Sequence, residues 1–268
     1  MIRDITLGQY FPGQSVIHKL DARVKLILIV LLIVNIFVAQ SVVSYILTAV
    51  LVFASVFLSK IPFSMILKSL KPLWYVIIFT TVINLFFTTG EPVLEFWIIT
   101  VTKEGITRSV EMIIRIVLLV IGTSLLTYTT SPIMLTDALE RLLSPLKKLK
   151  FPVHEFALMM TIALRFIPTL IEEVDKIIAA QKARGADFES GNIINRTKAL
   201  IPILVPLFVS SFRRADELSI AMECRCYKGG EGRTRLREYK VEARDYMALL
   251  TLLLVLAAII LANTFLMW

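Results

Sequence analysis

The chain has 268 residues, of which 57% are hydrophobic and only 19% charged, with a mean hydropathy of +0.77. Soluble domains average about 45–50% apolar residues by a comparable count, and runs near the roughly 20 residues needed to cross a bilayer recur here, which excludes an ordinary soluble domain. The net charge of +8 comes from basic residues mixed with acids and without interleaved aromatics, which argues against a nucleic-acid surface and fits membrane orientation instead.

A polar stretch of about 25 residues, with Asp4 and Asp21, precedes the first apolar run, unlike a cleavable signal, whose apolar region begins much earlier. Arg3, Lys19, Arg23 and Lys25 lie in it. From Leu26 to Ser59 there is no charge. A single helix of that length would reach about 50 Å, too long for a hydrocarbon core of about 30 Å. A tight hairpin near Ala39-Gln40-Ser41 therefore predicts two short spans with Lys25 and Lys60 on one side. Lys60, Lys68 and Lys71 lead into a third span over about 73–88. A short outer segment follows, with Glu91, Glu95, Trp97 and Glu104 in or beside it, suited to the outer interface. A fourth span over about 106–128 carries Arg108, Glu111 and Arg115 on one face. Charges inside a span read as functional by default, but these lie in its first turns, where snorkelling to the interface is an equal reading.

Residues 130–242 form a charged yet apolar block that holds most of the Lys and Arg. Three helices are expected in it. The first runs about 132–148, with Ser131 as N-cap and Pro132 at the first helical position. The second runs about 153–184, ended by Gly185. The third runs about 193–228, ended by Gly229-Gly230. Pro168, Pro202 and Pro206 mark helix starts or kinks. Helices this long outside the membrane must cover apolar faces with each other or with partners. Met159, Met160, Phe208 and Phe212 read as an adaptable contact surface for different partners, with simple core filler the favoured reading of the methionines. A last span over 246–268 is free of charge. The positive-inside rule then places the N-terminus, the Lys60–Lys71 loop and residues 130–242 in the cytosol. The expected fold is an all-α integral membrane protein. It has about five transmembrane helices (1–129 holding the first four, 243–268 the last) and a cytosolic coupling domain of three helices, two of them long and crossing.

Two tripeptides stand out, Ala183-Arg184-Gly185 and Cys224-Arg225-Cys226, each at the end of a long helix. A cation near a helix C-terminus is favoured by the macrodipole, by about 0.3–1 kcal/mol. Two successive helices repeat the placement, however, and small flanking residues leave each arginine room to protrude as a planar donor fork for a partner's carboxylates or carbonyls. Other chemistry is thin. Gly229-Gly230-Glu231-Gly232 lacks the lysine of a phosphate loop and there is no HExxH. His18 and His154 are far apart, and Cys224 and Cys226 have no nearby histidine to complete a zinc set. Glu172, Glu173 and Asp175 read as a solvated helix face. No catalytic or metal-binding residue is expected.

Three separated motifs give the chain a resemblance covering nearly its whole length. Gly8-Gln9-Tyr10-Phe11-Pro12-Gly13, followed by Ser15, His18, Asp21, Arg23 and Lys25, looks like the N-terminal signature of the transmembrane T component of energy-coupling factor (ECF) transporters, in its shared-module form. Ala183-Arg184-Gly185 matches that family's first arginine motif. Met222 to Tyr227, around Cys224-Arg225-Cys226, is similar to the second, with Cys224 where Ala or Ser is commoner. The resemblance implies a non-catalytic coupling subunit of an ABC importer for vitamins or other micronutrients in the cytoplasmic membrane. Its partners would be two ATPases, which bind and hydrolyse the ATP, and one or several interchangeable membrane-embedded substrate-binding (S) components. Arg184 and Arg225 would enter grooves on the ATPases. The competing reading, a self-contained secondary transporter or channel, calls for intramembrane polar pairs, Gly/Pro-broken spans and an internal repeat, whereas the spans here lack a matched repeat and most charge lies outside them.

Overall fold

A computed structural model describes residues 10–96, 99–186, 188, 193–230 and 241–266, with 93–96, 99–100, 193–196 and 266 described by backbone alone. The chain is helical nearly throughout. In order it forms α1 (Ala22–Val38), α2 (Val42–Ser59), α3 (Phe63–Leu70), a 3₁₀ turn (Lys71–Leu73), α4 (Trp74–Phe87), β1 (Pro92–Phe96), β2 (Ile99–Thr102), α5 (Lys103–Thr129), α6 (Pro132–Leu142), a second 3₁₀ stretch (Ser144–Leu149), α7 (Val153–Ala183), α8 (Ile193–Cys224) and α9 (Ala243–Leu266). Its described residues divide into two compact units, 10–138 with 241–266, and 139–230.

In the first unit the uncharged run folds as the expected hairpin, turning at Ala39, Gln40 and Ser41. Asp21 caps α1 by accepting from the Arg23 amide, and Ser41 caps α2 by accepting from Ser44. The core is formed by Leu32 and Ile36 of α1, Val52 and Val56 of α2, Ile66 of α3, and Leu118, Ile121 and Leu125 of α5. α9 packs on both α1 and α2. Among the described residues four helical segments are long and apolar enough to cross a membrane: Val42–Ser59, Phe63–Phe87, Lys103–Thr129 and Ala243–Phe265. α1 is slightly shorter at 17 residues. The chain is a multi-pass, all-α membrane protein.

The third apolar segment begins earlier than expected, because α3 and its 3₁₀ turn lead directly into α4 and make one stretch of 25 residues. It runs antiparallel to α5, with the Tyr128 hydroxyl donating to Met65 O at 3.1 Å and the Ser109 hydroxyl to Thr81 O at 3.3 Å. The outer segment pairs as an antiparallel β-hairpin, with Pro92 opposite Thr102 and Phe96 opposite Ile99. Trp97 lies outside the described residues. The Glu104 carboxylate accepts from the Glu91 amide at 2.9 Å and closes the hairpin's base.

Arg115 does not snorkel. Its guanidinium donates to Ala39 O at 3.3 Å and to the Tyr45 hydroxyl at 2.7 Å, and lies 5.7 Å from the Phe37 ring centroid. Asn263 of α9 works on the same turn. Its Oδ1 accepts from the Gln40 and Ser41 amides and the Ser44 hydroxyl, while Nδ2 donates to Val38 O at 2.7 Å. A chain reversal beside lipid must have its backbone polar groups satisfied by the protein. Two side chains distant in sequence do that here.

Candidate functional site

The second unit carries the arginine motifs. α7 and α8, of 31 and 32 residues, pack antiparallel. Gln181 Nε2 donates to Pro202 O at 3.3 Å, the Ser210 hydroxyl donates to Glu173 Oε1 at 2.5 Å, and Arg214 pairs with Glu173 Oε2. Pro168, Pro202 and Pro206 lie inside these helices rather than at their starts. Glu173 is therefore not a solvated side chain like its neighbours Glu172 and Asp175, which are exposed. It ties α7 to α8. The Ser210 hydrogen bond, helped by Arg214, holds its carboxyl below the usual carboxylate range.

Both long helices end in the same cap. At α7, the Gly185 amide donates to Lys182 O and the Ala186 amide to Gln181 O, each at 3.0 Å. At α8, the Cys226 amide donates to Glu223 O at 2.8 Å and the Tyr227 amide to Met222 O at 3.0 Å. This paired pattern is a Schellman motif. Gly185 (φ +86°) and Cys226 (φ +56°) occupy its left-handed position. Arg184 and Arg225 thus hold the same place, one residue before the left-handed turn, and both are exposed together with Ala183, Gly185, Cys224 and Cys226. α8 ends at Cys224, earlier than the Gly229-Gly230 pair suggested, because the left-handed turn falls on Cys226. Gly229 (φ +91°) and Gly230 serve the return of the chain instead. A Cβ on Gly230 would lie 2.6 Å from His154 Cδ2, and His154 Nδ1 donates to Glu140 Oε1 at 3.0 Å. The segment after Arg225 is thereby seated against the start of α7.

The opposite register of α7 and α8 separates the arginines. Gln181 faces Pro202 and Glu173 faces Ser210, so continuing the pairing puts Arg225 beside residue 158. At 1.5 Å per residue, Arg184 and Arg225 stand about 40 Å apart along the pair. Between them Met159, Phe208 and Phe212 are 59%, 61% and 69% exposed, so the core-filler reading does not hold for Met159, whereas Met160 is part-buried. α6 starts at Pro132 as expected, with Ser131 accepting from the Met134 amide at 3.4 Å. It ends at Leu142, and a 3₁₀ stretch beginning at Ser144-Pro145 replaces its last turns.

In the first unit the N-terminal signature forms a knot. Gly8 lies outside the described residues. Phe11 donates its amide to Tyr128 O at 2.9 Å. His18 is buried. Its Nε2 donates to Phe11 O at 2.9 Å, Nδ1 accepts the Ser15 hydroxyl at 2.7 Å, and the Tyr10 ring meets it edge-on at 6.5 Å. A Cβ on Gly13 would stand 2.8 Å from the His18 ring, which explains the glycine. Pro12 is exposed. Lys25, 4% exposed, donates to His18 O, Thr129 O and Thr130 Oγ1 at 3.0–3.2 Å. Asp21 pairs with Arg23 at 2.6 Å, and the Asp21 amide donates to Asp245 Oδ1 at 2.9 Å. The signature residues join the start of α1, the end of α5 and the start of α9. Sequence reasoning missed Asp245 and Thr130, which belong to no motif. Among the described residues, no three His, Cys, Asp or Glu side chains gather as a metal site.

These features define a class: a multi-pass helical membrane protein that carries a pair of long helices capped alike by exposed arginines. Residues 13–236 match the family model CbiQ, cobalt transport protein. The chain is 53% identical to the energy-coupling factor transporter transmembrane protein EcfT of Clostridium kluyveri over 98% of both chains. It is 46% identical to the protein of that name from Bacillus subtilis and 43% to that from Lactococcus lactis, in each case over 97% of this chain and 98% of the relative. The chain belongs to the EcfT family of energy-coupling factor transporter transmembrane proteins.

Proposed function

We propose that this chain is the non-catalytic coupling subunit of an ECF-type ABC importer for vitamins or other micronutrients in the cytoplasmic membrane. The observation that carries the reading is the pair of identical caps presenting Arg184 and Arg225 about 40 Å apart along α7 and α8 in a member of this family. An arginine held at a rigid helix end loses little freedom when its fork engages carboxylates or backbone carbonyls. A separation of this size suits two contact points on two ATPases rather than two on one. The N-terminus, the Lys60–Lys71 loop and residues 130–242 face the cytosol, following the distribution of Lys and Arg, and the short α1 completes five spans. ATP is bound and hydrolysed by the ATPases, whose closure displaces the two helix ends relative to each other. The exposed apolar residues between them, including Phe208 and Phe212, form the surface against which an S component reorients.

The test is the double variant Arg184→Ala, Arg225→Ala in the complete transporter. Truncating a central arginine costs about 2 kcal/mol or more, about thirtyfold in affinity for each contact. The variant should insert in the membrane normally yet lose both the co-purifying ATPases and nucleotide-driven uptake. Wild-type levels of ATPase retention and uptake would sink the proposal.

A further inference from the structure

The four helices α1, α2, α5 and α9 surround a cavity of about 330 Å³. Leu28 of α1, Leu51 of α2, Leu125 of α5 and Ala248 of α9 line it, and Ile17 of the N-terminal knot borders one end. That end also carries Lys25 and Arg244, and from Lys25 the cavity extends into the bundle as far as Leu32, a depth of about 10 Å. A void of this size forfeits dispersion contacts in rough proportion to its volume. Water is a poor filling for the depth of the cavity, because it needs polar partners and those of the lining, apart from Arg244 at the mouth, donate their protons elsewhere. Lys25 donates to His18 O, Thr129 O and Thr130 Oγ1. The hydroxyls of Ser55, Thr129 and Thr251 donate to Leu51 O, Leu125 O and Ala248 O. The filling that fits is hydrocarbon, which the surrounding bilayer supplies.

The charge at the mouth selects the headgroup. Arg244 is half-exposed, and its ion pair with Glu242 is a loose 3.5 Å contact between two exposed side chains, so among the described residues most of its donor fork is open to a phosphate. The leaflet on this side is the anionic one if the positive-inside orientation of the proposed function holds. We infer that the cavity is a binding site for one acyl chain of an anionic phospholipid of the cytoplasmic leaflet, with the lipid phosphate on Arg244. The N-terminal knot is then part of the rim of a lipid site as well as a fastening for α1, α5 and α9.

The experiment is native mass spectrometry of the purified full-length chain after exchange into mixed phosphatidylglycerol and phosphatidylcholine. The wild type should retain one phosphatidylglycerol through delipidation. Ala248→Phe, which fills the cavity, should lose it, and Ser55→Met provides a second, smaller filling should the first variant fold poorly. Arg244→Gln should keep a lipid but lose the preference for phosphatidylglycerol by about tenfold, the equivalent of about 1.4 kcal/mol. Wild-type protein that retains no lipid, or that holds phosphatidylcholine or detergent equally well, overturns the inference. So does undiminished retention in the filled variants. Thiol labelling of the exposed Cys224 and Cys226 from each side of sealed vesicles reads the orientation separately. Labelling from outside refutes the cytosolic orientation and the assignment of the leaflet, while retention continues to judge the site itself.

Discussion

Arg184 and Arg225 share a cap but not the residue that shapes it. At α7 the left-handed position is glycine, and a Cβ there would meet nothing within 4 Å, so Gly185 is required by its backbone angle and not by crowding. At α8 the same position is Cys226, with φ +56°. A non-glycine residue in this region costs about 1–2 kcal/mol, which the two cap hydrogen bonds and neighbouring contacts must offset. The expected consequence is opposite for two simple substitutions. Cys226→Gly should stabilise the end of α8, by up to about 1 kcal/mol once the greater freedom of glycine in the unfolded chain is deducted. Gly185→Ala should destabilise the end of α7 by about 1 kcal/mol. Amide hydrogen exchange at residues 185–186 and 226–227 is the direct readout. Slower exchange in Gly185→Ala, or faster exchange in Cys226→Gly, would contradict the equivalence of the caps.

At the scale of elements, polar groups hold pairs of apolar helices in register. In the membrane unit Asn263 and Arg115 fasten the α1–α2 turn. In the other unit Glu173 fastens α7 to α8. The Glu173 carboxyl is held below its usual range by the Ser210 hydroxyl and by Arg214. A carboxyl with a depressed folded value adds stability that is fully present above its unfolded value, about 4.3, and is lost as the pH falls through the lower folded value. Because Glu173 is part-exposed, with its side chain at 22% and that of Arg214 at 36%, solvent screens the pair and the effect is small. Glu173→Gln should lower the thermal midpoint of the chain at pH 7. The gap from wild type should close as the pH is lowered through and below the ordinary carboxylate range. A gap that persists unchanged in acid would assign the effect to packing rather than charge.

For the molecule as a whole, what the sequence revealed was what local chemistry dictates. The uncharged run from Leu26 to Ser59 was too long for one span, and it turns where Ala39-Gln40-Ser41 interrupts it. Ser131-Pro132 started α6, and Gly185 ended α7. Contacts that depend on distant partners stayed hidden. Nothing near Asp245 indicates that it will accept the Asp21 amide 224 residues away, and the spacing of Arg115 suggested snorkelling until α1 and α2 were folded over it. The antiparallel register of α7 and α8 was hidden for the same reason, yet it decides the geometry of the site. It turns two motifs 41 residues apart in sequence into two ends of one rod. That geometry is measurable without any partner. Spin labels at Ala186→Cys and Lys228→Cys, with Cys224 and Cys226 replaced by serine, should report a separation centred near 40 Å in the full-length chain. A distribution centred below about 25 Å would mean that the helices bend back at Pro168, Pro202 or Pro206 and bring both arginines to one place, so that a single partner could hold both. The predicted long distance requires two separate contacts, and any motion that changes it works along the whole length of α7 and α8.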